Sequence, residues 1–206
     1  MTRFVDIKSP LSTPYQNMPR KGKIIIYSIW ILIIIAFAIL YFLSPETFSA
    51  DRITKFIKTF NTEMLWIYIL LSLMRGFFLI PSTPFVIAGG LLFPDRLLLI
   101  LIISMVGVMV SATAIYYFSD FLGFSKRLNH RFTSKTETWR ARFSSSKSVF
   151  FIAGWSLLPI VPTDLICYAG GILKAPFKYI FTGVFIGELI LCYIYIYFGA
   201  SVLQLL

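Results

Sequence analysis

Apolar and polar positions divide the chain into blocks. Residues 1–23 are polar, with Pro10, Pro14 and Pro19, several Ser and Thr, and Arg3, Lys8, Arg20, Lys21 and Lys23. A segment of that composition is expected to be disordered. Ile24 to Leu43 is a run of twenty almost wholly apolar residues, long enough to cross a hydrocarbon core of about 30 Å as a helix. Residues 44–63 are mixed. There Ile53, Phe56, Ile57 and Phe60 recur at helical spacing, opposite Arg52, Lys55 and Lys58. This pattern fits an amphipathic helix, either lying in a membrane interface or packed on a bundle. Met64 to Ile80 is apolar apart from Arg75, and Leu97 to Phe118 is a second full span. Asp120 to Ser148 is polar and reads as a loop. Val149 to Val161 is apolar but only thirteen residues long, too short to cross, and Tyr179 to Leu206 is the last span, with Glu188 inside it.

A duplication organises the region from 64 onwards. The stretch from Ile80 to Pro94 returns 81 residues later, from Val161 to Lys174. Pro81/Pro162, Ala88/Ala169, Gly89/Gly170, Gly90/Gly171 and Leu92/Leu173 are identical, and Ser82/Thr163 and Leu91/Ile172 are conservative pairs. Thr83-Pro84 predicts a helix start with Thr as N-cap and Pro in the first turn; Asp164 holds the place of Thr83 and predicts a second cap. Each following limb has roughly ten residues before Pro94 or Pro176. At about 1.5 Å per residue that is roughly 15 Å, half a hydrocarbon core. The pattern therefore predicts two re-entrant hairpins, 64–94 and 149–174, broken at Pro81, Pro84, Pro159 and Pro162. They would enter from opposite faces, in inverted topology. The alternative is that the prolines only kink packed helices. The glycine pairs predict backbone-to-backbone packing of the two limbs of a hairpin, or of the two hairpins, and Gly107-x-x-x-Ser111 and Gly183-x-x-x-Gly187 predict close-packing helix faces. The expected architecture is an all-α integral membrane protein with about three spanning helices and two inverted re-entrant hairpins. Its parts are a basic tail (1–23), a first transmembrane helix (24–43), an amphipathic linker (44–63) and a transport-like domain (64–206).

Composition agrees. The 206 residues are 58% hydrophobic and 14% charged, with mean hydropathy +0.82, against about 45–50% and 25% in a soluble domain. The net charge of +10 then concerns topology and anionic lipid rather than nucleic acid, for which no basic motif with stacking aromatics exists. Lys126, Arg127, Arg131, Lys135, Arg140, Arg142 and Lys147 place the 120–148 loop in the cytoplasm, and the basic tail places the N-terminus there. No cleavable signal is expected. Cys167 and Cys192 lie in apolar segments without support for a disulfide. Two cysteines and His130 form no metal constellation, and no metal or cofactor is expected.

Broken helices at membrane depth free backbone N–H and C=O groups that need a polar, protein-lined cavity. The segments around Ser82-Thr83 and Thr163-Asp164 would offer N–H and hydroxyl donors to an anion there. Arg75, Asp164 and Glu188 are the charges within the apolar segments, and such charges default to function. Arg75 suits bidentate phosphate binding or pairing with Asp164. Asp164 and Glu188 are proton-exchange candidates; the alternatives are a structural cap for Asp164 and a helix-to-helix hydrogen bond for Glu188. No nucleophile stands beside a base, so no enzymatic activity is expected.

Arg75…Pro81-x-x-Pro84…Ala88-Gly89-Gly90, and more specifically Pro159-Ile160-Val161-Pro162-Thr163-Asp164 followed by Tyr168-Ala169-Gly170-Gly171, resemble the DedA/VTT-domain family, also called SNARE-associated Golgi proteins, over roughly residues 60–200. The resemblance implies facing re-entrant hairpins and lipid movement between leaflets. It also implies membrane lipids as partners, either anionic phospholipid or polyprenyl phosphate, and a bacterial plasma membrane location. Carried over, Arg75 matches the arginine before the first motif and Asp164 the acid of the second. Two positions depart: Ser156 stands where members often carry an arginine, and Thr83 where some carry a nearby glutamate. Proton coupling would then rest on Asp164 or Glu188, and a passive scramblase stays open. So do a proton-coupled solute or ion transporter, a non-transporting membrane scaffold, and a homo-oligomeric state.

Overall fold

The computed structural model describes residues 43–78, 80–121, 133–158 and 161–205, with helical residues 28, 29, 32, 33, 35, 36, 39 and 40 in the first apolar block. The expectations for residues 1–23, Pro159, Lys126, Arg127, His130 and Arg131 fall outside these. The described residues form helices and short turns, with no strand among them. In order these are α1 (Ala50–Lys58), α2 (Met64–Met74), α3 (Ser82–Leu92), α4 (Leu97–Phe121), α5 (Thr133–Phe143), α6 (Ser148–Ser156), α7 (Asp164–Ile172) and α8 (Phe177–Leu205).

Two helices carry the architecture. α4 and α8 have 25 and 29 residues, about 37 and 43 Å at 1.5 Å per residue. Within or about them Pro94–Ser119 and Phe177–Gly199 are long and apolar enough to cross a membrane. Their environment is inverted relative to a soluble protein. Leu98, Ile102, Val106 and Val110 form an exposed stripe along α4, whereas Ser104, Ser111 and Ser119 of the same helix are buried. Large apolar side chains outside and hydroxyls inside are what a lipid solvent selects. The chain is a membrane protein.

The two halves interlock. α2 packs on α4 and α6 on α8, each first limb against the long helix of its own half. α3 packs on α8 and α7 on α4, each second limb against the long helix of the other half. The contacts correspond residue by residue. A Cβ at Gly107 would meet the Ser72 carbonyl, and one at Gly187 the Ala153 carbonyl. One at Gly90 would meet the Ile196 carbonyl, and one at Gly171 the Tyr116 carbonyl. Ser72/Ala153 and Gly90/Gly171 are 81 apart, and Gly107/Gly187 and Tyr116/Ile196 are 80 apart.

Direction follows from the same contacts. Ser82 at the start of α3 touches Glu188, and Gly90 near its end abuts Ile196, so α3 runs parallel to α8. Ser82 shares a cavity with Val108 and Ala112, while Gly89 abuts Ile100, so α3 runs antiparallel to α4. α4 and α8 are therefore antiparallel, and the halves are inverted. α3 also folds back on α2: Tyr68 near the start of α2 packs on Phe93, just past α3, with ring centroids 6.1 Å apart.

Some expectations need correction, and the structure decides between the alternatives left for the linker helix. Asp120–Ser148 is not simply a loop, because Thr133–Phe143 is the helix α5 and Phe143 buries its ring against the second half. A tryptophan and an apolar end residue sit in this polar stretch, and Arg142 lies 5.2 Å from the Trp139 ring centroid. The linker helix α1 packs on the bundle. Ile53 and Ile57 are buried beside α3, leaving Phe56 and Phe60 exposed as an edge-to-face pair. The glycine pairs make close approaches, but Gly90 and Gly171 abut the opposite long helix rather than a partner limb or hairpin, while Gly89 faces Tyr68 and Gly170 faces Ile180.

Candidate functional site

Both helix breaks meet at the middle of α4 and α8. The 3₁₀ turn Arg75–Phe78 ends the first limb, and α3 begins after Pro81. In the second half α6 ends at Ser156 and α7 begins at Asp164. Arg75, Pro81, Ser82 and Thr83 from one break and Pro162, Thr163 and Asp164 from the other line one small cavity, with Val108 and Ala112 of α4 and Glu188 and Leu191 of α8. The cavity holds about 10 Å³, room for no more than one water molecule.

Local geometry overturns the capping expectation. Pro81, not Thr83, occupies the N-cap of α3, with no side-chain cap bond; its extended backbone (ψ 142°) and Pro84 in the first turn fix the entry. At α7 the N-cap is Thr163, again without a side-chain cap, and Asp164 is the first helical residue. Thr163 turns its hydroxyl elsewhere.

That target is Glu188. Thr163 Oγ1 donates to Glu188 Oε1 at 2.5 Å and Ser82 Oγ donates to Glu188 Oε2 at 3.3 Å. Cys192 Sγ, one turn along α8, lies 3.9 Å from Oε2. Glu188 is 1% exposed. Burial of a carboxylate is tolerated only with such donors. Ser82 and Thr163 are repeat equivalents, so one hydroxyl from each half grips the same carboxylate. Eighty positions before Glu188 stands Val108, so the approximate two-fold relation places an acid against a valine.

Arg75 and Asp164 are buried in the same cavity, 6% and 7% exposed. Of the two roles open to Arg75, the ion pair with Asp164 is not formed; among the described residues Asp51–Lys55 is the ion pair, exposed and 2.7 Å long. Ser156, which takes the place of Arg75 in the second half, is fully buried and its hydroxyl finds no hydrogen-bond partner. Cys167 and Cys192 are both buried and free.

Of the residues singled out in the sequence, Arg75, Ser82, Thr83, Thr163, Asp164 and Glu188 thus converge. Their mutual wiring was not foreseen. Its trace was the Ser82/Thr163 pair, a hydroxyl preserved between the copies at a position not needed for capping.

Antiparallel halves, broken helices and a buried polar cavity inside an apolar shell define a membrane protein of the inverted-repeat class. A family model described as the VTT domain matches residues 80–201, more than half of the chain, and the chain belongs to this VTT-domain (DedA) family. No curated protein and no solved structure matches it. The match takes in Ser82, Thr163, Asp164 and Glu188, and begins five residues after Arg75.

Proposed function

We propose that the protein moves lipids between leaflets. A phosphate-bearing head group would pass the polar centre while its acyl tails stay in the bilayer. The carrying observation is the meeting of Arg75, Ser82, Thr163, Asp164 and Glu188, from both halves, halfway along two membrane-length helices. A guanidinium binds phosphate as a fork, and hydroxyls and free N–H groups at helix starts add donors. The closed cavity is far smaller than a head group, so transport requires the two breaks to part. In this reading the hairpins are re-entrant, returning to the face they entered, and the N-terminus is cytoplasmic.

The test uses the full chain in liposomes containing a fluorescent anionic phospholipid, bleached by external dithionite. A symmetric vesicle exposes about half its probe, so a scramblase carries bleaching well beyond half, and Arg75→Ala returns it towards half. Bleaching that stops at half refutes the proposal. Single cysteines placed at Leu91 and Arg96 should both label from the outer side; labelling from opposite sides refutes the first re-entrant hairpin.

A second reading rests on the water-sized cavity and its two carboxylates: proton-coupled transport of a small solute or ion. It predicts proton movement on adding substrate, abolished by Asp164→Asn or Glu188→Gln, with no bleaching beyond half.

A further inference from the structure

The cavity already contains an acid group, and it belongs to the protein. Ser82 and Thr163, at equivalent places in the two breaks, direct their hydroxyls at Glu188 rather than at their own helix starts. Arg75 lines the same cavity without an ion-pair partner among the described residues. Two hydroxyl donors on one two-oxygen acceptor, with a guanidinium lining the same cavity, make an anion site. Glu188 fills it, and the remaining 10 Å³ leaves no space for another anion. Asp164 is the other acid facing this space.

We infer that Glu188 is a built-in stand-in for the ligand: its carboxylate occupies the seat of an external phosphate group, holds Ser82 and Thr163 together, and must be displaced for that phosphate to bind. The ligand class is an anion with at least two acceptor oxygens, a phosphate monoester or diester on a lipid. This rests on the lipid reading above and adds competition between the protein's own acid and its cargo. The asymmetry of the repeat gives the competition its direction. The place equivalent to Glu188 is Val108, so one half supplies the plug and both halves supply the socket.

The experiment is direct binding by calorimetry. The purified full chain in detergent is titrated with dihexanoyl phosphatidic acid, and with dihexanoylglycerol as the phosphate-free control. Glu188→Gln keeps the shape and removes the charge. It should bind the phosphatidic acid about tenfold or more tightly than the wild type, since a like-charge juxtaposition has been removed. Adding Ser82→Ala and Thr163→Val should abolish the gain, and the glycerol should bind all variants alike. Unchanged or weaker binding by Glu188→Gln overturns the inference.

If Glu188→Gln does not fold, the native charge state still gives an answer. Glu188→Asp keeps the acid but shortens its reach to Ser82 and Thr163 by one methylene, so it should bind phosphatidic acid severalfold more tightly than the wild type and the glycerol no differently; unchanged or weaker binding overturns the inference. Tighter binding by Glu188→Gln with no lipid exchange in liposomes would sink the transport reading and spare this one. Lipid exchange with no gain in binding would do the reverse.

Discussion

Gly171 offers the sharpest check on the interlocked packing. A Cβ added there would overlap Ser119 Oγ and the Tyr116 carbonyl oxygen; at Gly90 it would come within 2.9 Å of the Ile196 carbonyl oxygen; at Gly154 it would meet nothing within 4 Å. All three are helical, so each Gly→Ala change gains up to about 1 kcal/mol of helix propensity. Overpacking costs about 1–3 kcal/mol where the neighbour cannot yield, and a helix carbonyl yields less than a side chain. Gly154→Ala should therefore stabilise by up to about 1 kcal/mol. Gly90→Ala should be neutral to mildly destabilising. Gly171→Ala should lose a net 1–2 kcal/mol or so, roughly 2–8 °C in Tm for a chain of this size. Thermal unfolding in detergent, followed by size-exclusion of the surviving fraction, ranks the variants. A Gly171→Ala protein as stable as Gly154→Ala would refute the α7–α4 contact and with it the exchanged arrangement of limbs.

Other outcomes follow from single features. Lys174 holds φ 53° after α7, where the Ala175 N–H bonds the Gly170 carbonyl at 2.9 Å and the Lys174 N–H bonds that of Gly171 at 3.1 Å. This is a Schellman ending with lysine in the glycine place, so Lys174→Gly should raise stability by up to about 1 kcal/mol. A lower Tm would contradict the assigned conformation. Tyr68 bonds Ser104 at 2.8 Å in the core; Tyr68→Phe leaves a buried hydroxyl unpaired and should cost about 1–3 kcal/mol. Equal loss from Tyr68→Phe in wild-type and Ser104→Ala backgrounds would show that the bond contributes nothing.

Much of the fold was readable because lipid simplifies the code. Length and apolarity identified α4 and α8, and the copied prolines and glycines identified the breaks and close contacts. What stayed hidden were choices among partners. Thr83 and Asp164 had the right chemistry for caps, but Pro81 already sets the entry to α3, and Thr163 has a buried carboxylate to satisfy. α5 was missed because its eleven residues are largely polar or charged and lack an apolar stripe, so no periodicity marks them. Nor does a repeat state which long helix each limb prefers. The exchange of α3 and α7 appears only when Gly90 is found against Ile196 and Gly171 against Tyr116.

The exchange also has a consequence in time. The chain is made from its N-terminus, and Ser82 must wait through 106 further residues for Glu188. Until α8 is inserted, α3 has α1 and α4 beside it but not the helix that meets Gly90, and its hydroxyl has no acid to bond. α8 thus completes the first half as well as the second. Loss of α8 would strand both halves together, not the second alone.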